Sequence, residues 1–167
     1  MIIHTHVTTK ATTELKRYND SELELANRLL LRVFAIDPRL QAAFHLFNVP
    51  YSELKKNVQF QAHVKVLEPA LSFVMSHLHD ATAMSKPLQA LGARHVMHTR
   101  IQYKSVYWKV VNQALIEFVN ADRASGDVFD AWNVLGNFCI EQMRIGYRIE
   151  YKVKKVIQRI ESKSAEA

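Results

Sequence analysis

Two of the apolar stripes in this chain carry a histidine, and each stripe has helical spacing. Phe60, His63, Leu67, Leu71 and Val74 recur at steps of three and four, as do Leu88, Leu91 and His95. Side chains at such steps share one face of a helix, the face that packs inward. An imidazole there needs a partner, because an unpaired buried polar group is costly. Each ring can bond a neighbouring backbone carbonyl as an ordinary core residue. Alternatively, a flat metal-bearing group held between the two helices satisfies both rings at once.

Composition supports helices around one core. The chain has 167 residues, a length suited to a single domain. Four glycines and four prolines are too few for a strand-and-turn architecture. No uncharged apolar run approaches the roughly 20 residues a membrane span requires. The stretch from Pro69 to Leu78 is too short and lies between Glu68 and Asp80. The first residues, Met-Ile-Ile-His-Thr-His, lack the basic-then-apolar pattern of a secretory signal and the second-position glycine of a myristoylated chain. Cys139 is the sole cysteine, so no internal disulfide forms; it reads as a small buried hydrophobe in a reducing, cytoplasmic setting. The net charge of +6 comes from basic residues dispersed through the first hundred positions and concentrated from Arg144 to Lys163. That concentration reads as a solvated helix face, and no zinc-finger or RNA-binding signature accompanies it.

Local signals divide the chain into helices. Val7, Ala11, Leu15 and Tyr18 suggest a weak first helix within residues 1–19. Ser21 with Glu24 resembles a capping box that opens a helix through Leu29, Leu30, Val33 and Phe34. Pro38 ends that helix or starts a short one carrying Leu40 and Phe44. The His63 helix is expected from about Ser52 to Leu78. After a connection at 80–85, Ser85 is the expected cap of the His95 helix, with Pro87 in its first turn. A long helix is expected from about Ile101 to Asn120, along Tyr107, Val110, Ala114 and Phe118. The last begins near Val128, beyond a Gly126–Asp127 turn, and carries Trp132, Leu135, Cys139 and Met143. Its stripe continues through Ile149, Val153, Val156 and Ile160, a spacing that suits packing on the same domain or a partner-helix seam. Residues 20–147 are expected to form the core and 148–167 a basic helical extension.

These elements resemble the globin family over most of the chain. Leu30-Leu31-Arg32-Val33-Phe34-Ala35-Ile36-Asp37-Pro38 is similar to the globin B-to-C corner. The Pro-x5-Phe-x2-Phe run through Phe44 and Phe47 resembles the segment whose phenylalanine stacks on heme. Phe60-x2-His63-x3-Leu67 resembles the heme-facing side of the E helix. Leu88-x2-Leu91-Gly92-x-Arg94-His95, with Ile101 six residues on, resembles the F helix and its turn. Nematode and nerve-type globins are the nearest in pattern. The chain departs from the family in lacking a first-helix tryptophan and in its long C-terminus.

The resemblance implies an all-α globin fold and a heme b cofactor (iron protoporphyrin IX). It carries the proximal iron ligand onto His95 and the distal position onto His63. Leu30, Phe44, Phe47, Leu67, Leu91 and Ile101 become heme contacts. His98, ahead of Arg94 and Arg100, becomes the expected propionate partner. His63 either ligates iron, giving a bis-histidyl heme suited to electron transfer or to redox and gas sensing, or stands clear and steadies bound oxygen. The first state is the leading expectation, and reversible oxygen, CO or NO binding or oxygen transport is the alternative. A heme-free globin-like signalling module is a reading from another class, against which the retained His95 and Phe44 count. No nucleophile–base pair, phosphate-binding glycine loop or acidic metal cluster suggests an enzyme. A redox partner, a second copy or an adjoining domain at the C-terminal helix are the remaining expected partners.

Overall fold

A computed structural model describes residues 24–97, 104–119 and 125–165 of the chain. Among the described residues all regular structure is helical, as expected. No helix among them is long and apolar enough to cross a membrane. The expected first helix, Ser21 of the capping box, His98, Arg100 and Ile101 lie outside the described residues.

Helix α1 spans Glu24–Ile36 and buries Ala26, Leu29, Leu30, Val33 and Phe34, the inward set its periodicity dictates. It stops where Asp37 turns extended, at φ −137° and ψ 93°. The Asp37 carboxylate accepts from the Arg39 backbone N–H at 3.1 Å, and Pro38 takes the first position of a 3-10 helix, Pro38–Phe44. That turn ends at His45, whose φ of 58° is left-handed.

The single helix expected from Ser52 to Leu78 is two elements, a 3-10 helix at Tyr51–Lys56 and α2 at Val58–Ser76. Asn57 is the cause. Its side-chain oxygen accepts from the N–H groups of Gln59 (2.9 Å) and Phe60 (3.2 Å), so the chain restarts there. Helix α3, Ala81–Arg94, also begins earlier than expected. Asp80 is its cap, accepting from Ala83 N–H at 2.9 Å. Ser85 instead donates to the Ala81 carbonyl one turn back, and Pro87 lies mid-helix. Helix α4 covers Ser105–Phe118, and α5 runs from Gly126 to Ala165. The start of α5 precedes Val128 because the Ser125 carbonyl already accepts from Val128 and Phe129 N–H groups.

The main core joins α1, α2, α4 and the two 3-10 turns around Leu30, Phe34, Leu46, Leu54, Phe60 and Val64. Helix α2 is also tied to α1 by a polar contact: the buried Glu68 carboxylate accepts the Ala26 backbone N–H at 2.8 Å, across 42 positions. It satisfies a donor in the opening turn of α1, where negative charge is also favoured.

Helix α3 belongs to a different neighbourhood and takes its main packing from α5. Two glycines permit the close crossing. A Cβ at Gly92 would strike the Met143 carbonyl, and a Cβ at Gly146 would strike the Gln89 carbonyl. Gln89 also donates its side-chain amide to Gln142 at 2.8 Å. The two histidine-bearing segments are thus held from behind by different supports, α2 on α1 and α3 on α5.

Candidate functional site

His95 is the first residue past α3, at the head of a 3-10 turn, His95–Met97. Its Nδ1 lies 2.8 Å from the Leu91 carbonyl. A carbonyl only accepts, so Nδ1 carries the proton and Nε2 of the neutral ring carries the lone pair. The Trp108 indole from α4 meets the ring edge-on, with centroids 5.6 Å apart and planes at 62°. Both rings are half-buried. A carbonyl-fixed tautomer and an aromatic wall hold the imidazole in one orientation, which is what a metal-ligating histidine needs.

His63 projects from the second turn of α2 and is also half-buried. Its Nε2 lies 3.2 Å from the Phe44 carbonyl, and its ring meets that of Phe44 edge-on at 5.0 Å and 85°. Phe44 in turn stands edge-on to Phe34 at 5.2 Å, and Phe34 contacts Phe60 at 6.3 Å. Edge-to-face geometry of this kind is favourable for aromatic pairs. It runs an unbroken series of rings from the main core to His63, so the position of this side chain follows from the packing of α1. Donation to the Phe44 carbonyl assigns the proton to Nε2 and leaves the lone pair on Nδ1. The two imidazoles therefore present opposite tautomers.

The remaining expected contacts fall into three groups. Leu30 is buried in the main core, and Phe44 and Leu67 pack against it. Leu91 is half-buried and supplies the carbonyl that orients His95. Phe47, at 52% exposure, stands in the loop after the 3-10 turn and faces solvent. Arg94 is exposed. No group of three or more His, Cys, Asp or Glu suited to a metal ion occurs among the described residues.

Trp108 and Glu68 are site and support residues that sequence reasoning missed. Trp108 directly follows Tyr107 and lies one position off the expected α4 stripe, so periodicity gave it no inward role. Trp108 also lines a cavity of about 580 Å³ between α4 and α5, with Asn112, Ile116, Phe129, Asn133 and Ile140 among its walls. Neither His63 nor His95 reaches that cavity.

The sequence profile of the globin family matches residues 27–143, most of the described body. A curated relative, globin-related protein glb-13 of Caenorhabditis elegans, is 27% identical over 136 residues, covering 78% of this chain and 47% of its own length. The chain thus spans about half the length of that relative. Among solved structures, the globin-like protein Glb-12 of C. elegans superposes with a TM-score of 0.70 at 19% identity, covering 89% of this chain and 91% of the other. A hexacoordinated heme protein from an anhydrobiotic tardigrade superposes at 0.68 and 14% identity, covering 86% and 94%. With the B-to-C corner, the phenylalanine after it and the two helix-borne histidines all within the matched span, the chain belongs to the globin family.

Proposed function

We propose that this chain binds heme b between α2 and α3, with His95 as the proximal iron ligand. The observation that carries the reading is the 2.8 Å bond between His95 Nδ1 and the Leu91 carbonyl, which fixes the orientation of the ring as a metal ligand requires. Separate supports behind α2 and α3 suit a flat group between them. When bound, heme would supply an iron able to take an imidazole nitrogen or a diatomic gas.

His63 is the distal residue, and its leading state is ligation, giving a bis-histidyl site for electron transfer or for redox and gas sensing. To hold the iron through Nε2, His63 would have to give up its 3.2 Å contact with the Phe44 carbonyl. That would couple His63 to the end of the 3-10 turn that carries Phe44. A solved structure with a similar fold is described as a hexacoordinated heme protein, which supports this state. One observation favours the second reading, an open site for reversible oxygen binding: the 3.2 Å contact to the Phe44 carbonyl holds His63 Nε2 away from a ligating role. In either state the protein acts as a carrier, relay or sensor of the cytoplasm and not as an enzyme with its own substrate.

Absorption spectra of the purified, heme-supplied protein test this. Bis-histidyl iron gives sharp, resolved α and β bands on reduction that CO alters slowly, and His63→Leu converts them to a broad band that CO changes at once. An open site gives the broad band in the unaltered protein. Folded protein that stays colourless with added hemin would overturn the reading, as would His95→Ala protein with an unchanged spectrum.

A further inference from the structure

Past Gly146 the helix α5 carries an apolar surface that faces solvent. Ile149, Val153, Val156, Ile157 and Ile160 are between 46% and 59% exposed, although they lie on a regular helix continuous with the core. Beside this stripe, Arg148, Lys152, Lys155, Arg159 and Lys163 form a ridge at steps of four, three, four and four. Glu150 and Glu161 occupy the other flank, together with Lys154. On the back of the helix Tyr147 and Tyr151 stack at 6.1 Å and 10°, with the Lys155 ammonium 5.7 Å from the Tyr151 ring centroid.

We propose that residues 147–163 are a target helix for a calcium-loaded EF-hand protein, whose apolar, acid-rimmed groove closes around them. Such receptors open a hydrophobic groove on binding calcium and take amphipathic helices by anchors at steps of three and four. Between positions 148 and 163 six basic residues face two acidic ones, the sign that an acidic rim recognises.

The same pattern disfavours the other occupants. A second copy would pair along Ile149, Val153, Val156 and Ile160, only two heptads, where about three or four are needed. In parallel pairing Lys152 and Arg159 meet Ile157 and Ser164 of the partner helix, and in antiparallel pairing Lys152 meets Arg159; neither forms an opposite-charge pair. An anionic membrane would set its headgroups against a flank where Glu150 and Glu161 outnumber Lys154, and would leave both tyrosines on the far side in water. A groove that wraps the helix covers the stripe and the tyrosines together. This inference is independent of heme, since none of these residues belongs to the histidine site.

The test titrates the full heme-supplied chain into fluorescently labelled, calcium-loaded calmodulin. A one-to-one complex with a Kd near or below about 1 μM is expected, lost when EGTA removes calcium. Val153→Asp with Val156→Asp, and separately Lys152→Glu with Lys155→Glu and Arg159→Glu, should each weaken binding at least about tenfold. All five positions are exposed, so the fold is retained, which circular dichroism and the heme spectrum check. No complex at about 100 μM would overturn the proposal, as would binding indifferent to calcium or to the variants. Sedimentation as a dimer would overturn it in favour of self-association. Equal binding to phosphatidylserine–phosphatidylcholine vesicles would do so in favour of a membrane.

Discussion

The thiol of Cys139 shows what burial does to one group. It is the only cysteine and sits on α5, where desolvation pushes its pKa up to about 11. Against the ordinary value of 9.0 this removes about 99% of the thiolate present at pH 8, and thiolate is the reactive form. Ellman's reagent at pH 8 should therefore label the native protein at least about 100-fold more slowly than the urea-unfolded chain. Equal rates would mean that the half-buried thiol is not desolvated by its surroundings. At the same scale, a bond from the His95 ring to a neighbouring carbonyl was legible, since an imidazole on an inward face needs a partner. That Leu91 supplies the carbonyl follows from its place one turn back, a spacing present in the sequence. The bond between His63 and Phe44 was not legible, because it joins residues 19 apart through a turn whose path periodicity does not describe.

Among the elements, the α3–α5 crossing sets where His95 can stand. Gly92→Ala and Gly146→Ala each drive a methyl group into a backbone carbonyl that cannot rotate aside. Each should cost about 2–3 kcal/mol in urea denaturation, the upper part of the range for overpacking. The double variant should cost less than the sum, because once the helices part for one methyl they have parted for the other. Full additivity would indicate two independent contacts. Glu68 offers a contrast at the join of α1 and α2. Glu68→Ala leaves the Ala26 N–H without its acceptor and should lose about 1.5–3 kcal/mol, whereas Glu68→Gln keeps an oxygen there and should lose less. Helix faces were well marked in the sequence, since stripes such as Leu29, Leu30, Val33 and Phe34 report burial directly. Boundaries were not. Asn57 and Asp80 cap α2 and α3 through backbone groups two and three residues ahead, while Ser85 and Pro87 imitate a helix start inside a helix. Glu68 and Trp108 act on α1 and on His95 from distant parts of the chain, so no local pattern announced them.

At the level of the whole molecule, three carboxylates give the fold an acid-sensitive edge. The Arg39 side chain holds Asp37 below its ordinary range, Gln113 and then Arg32 hold Glu117 low, and Arg144 holds Glu141 low. A group whose pKa falls on folding contributes stability above its unfolded value and loses it as pH drops through the folded one. Ordinary values of 3.8 and 4.5 place the start of that loss below about pH 5. The melting temperature should hold from pH 7 to about pH 5 and then decline towards pH 3. Asp37→Asn should lower it at pH 7 and make a smaller difference at pH 3. An equal deficit at both pH values would exclude the ionised Asp37 as the source.

Gly146 lies near the middle of α5, which at 40 residues is a rod about 60 Å long. The crossing is therefore a fulcrum, with half the rod embedded and half overhanging. Torque applied to the overhang meets the backbone of Gln89 first, on the helix whose end presents His95. Amide hydrogen exchange along residues 81–94 is where a load on the distal arm would register, without any contact between that load and the histidine.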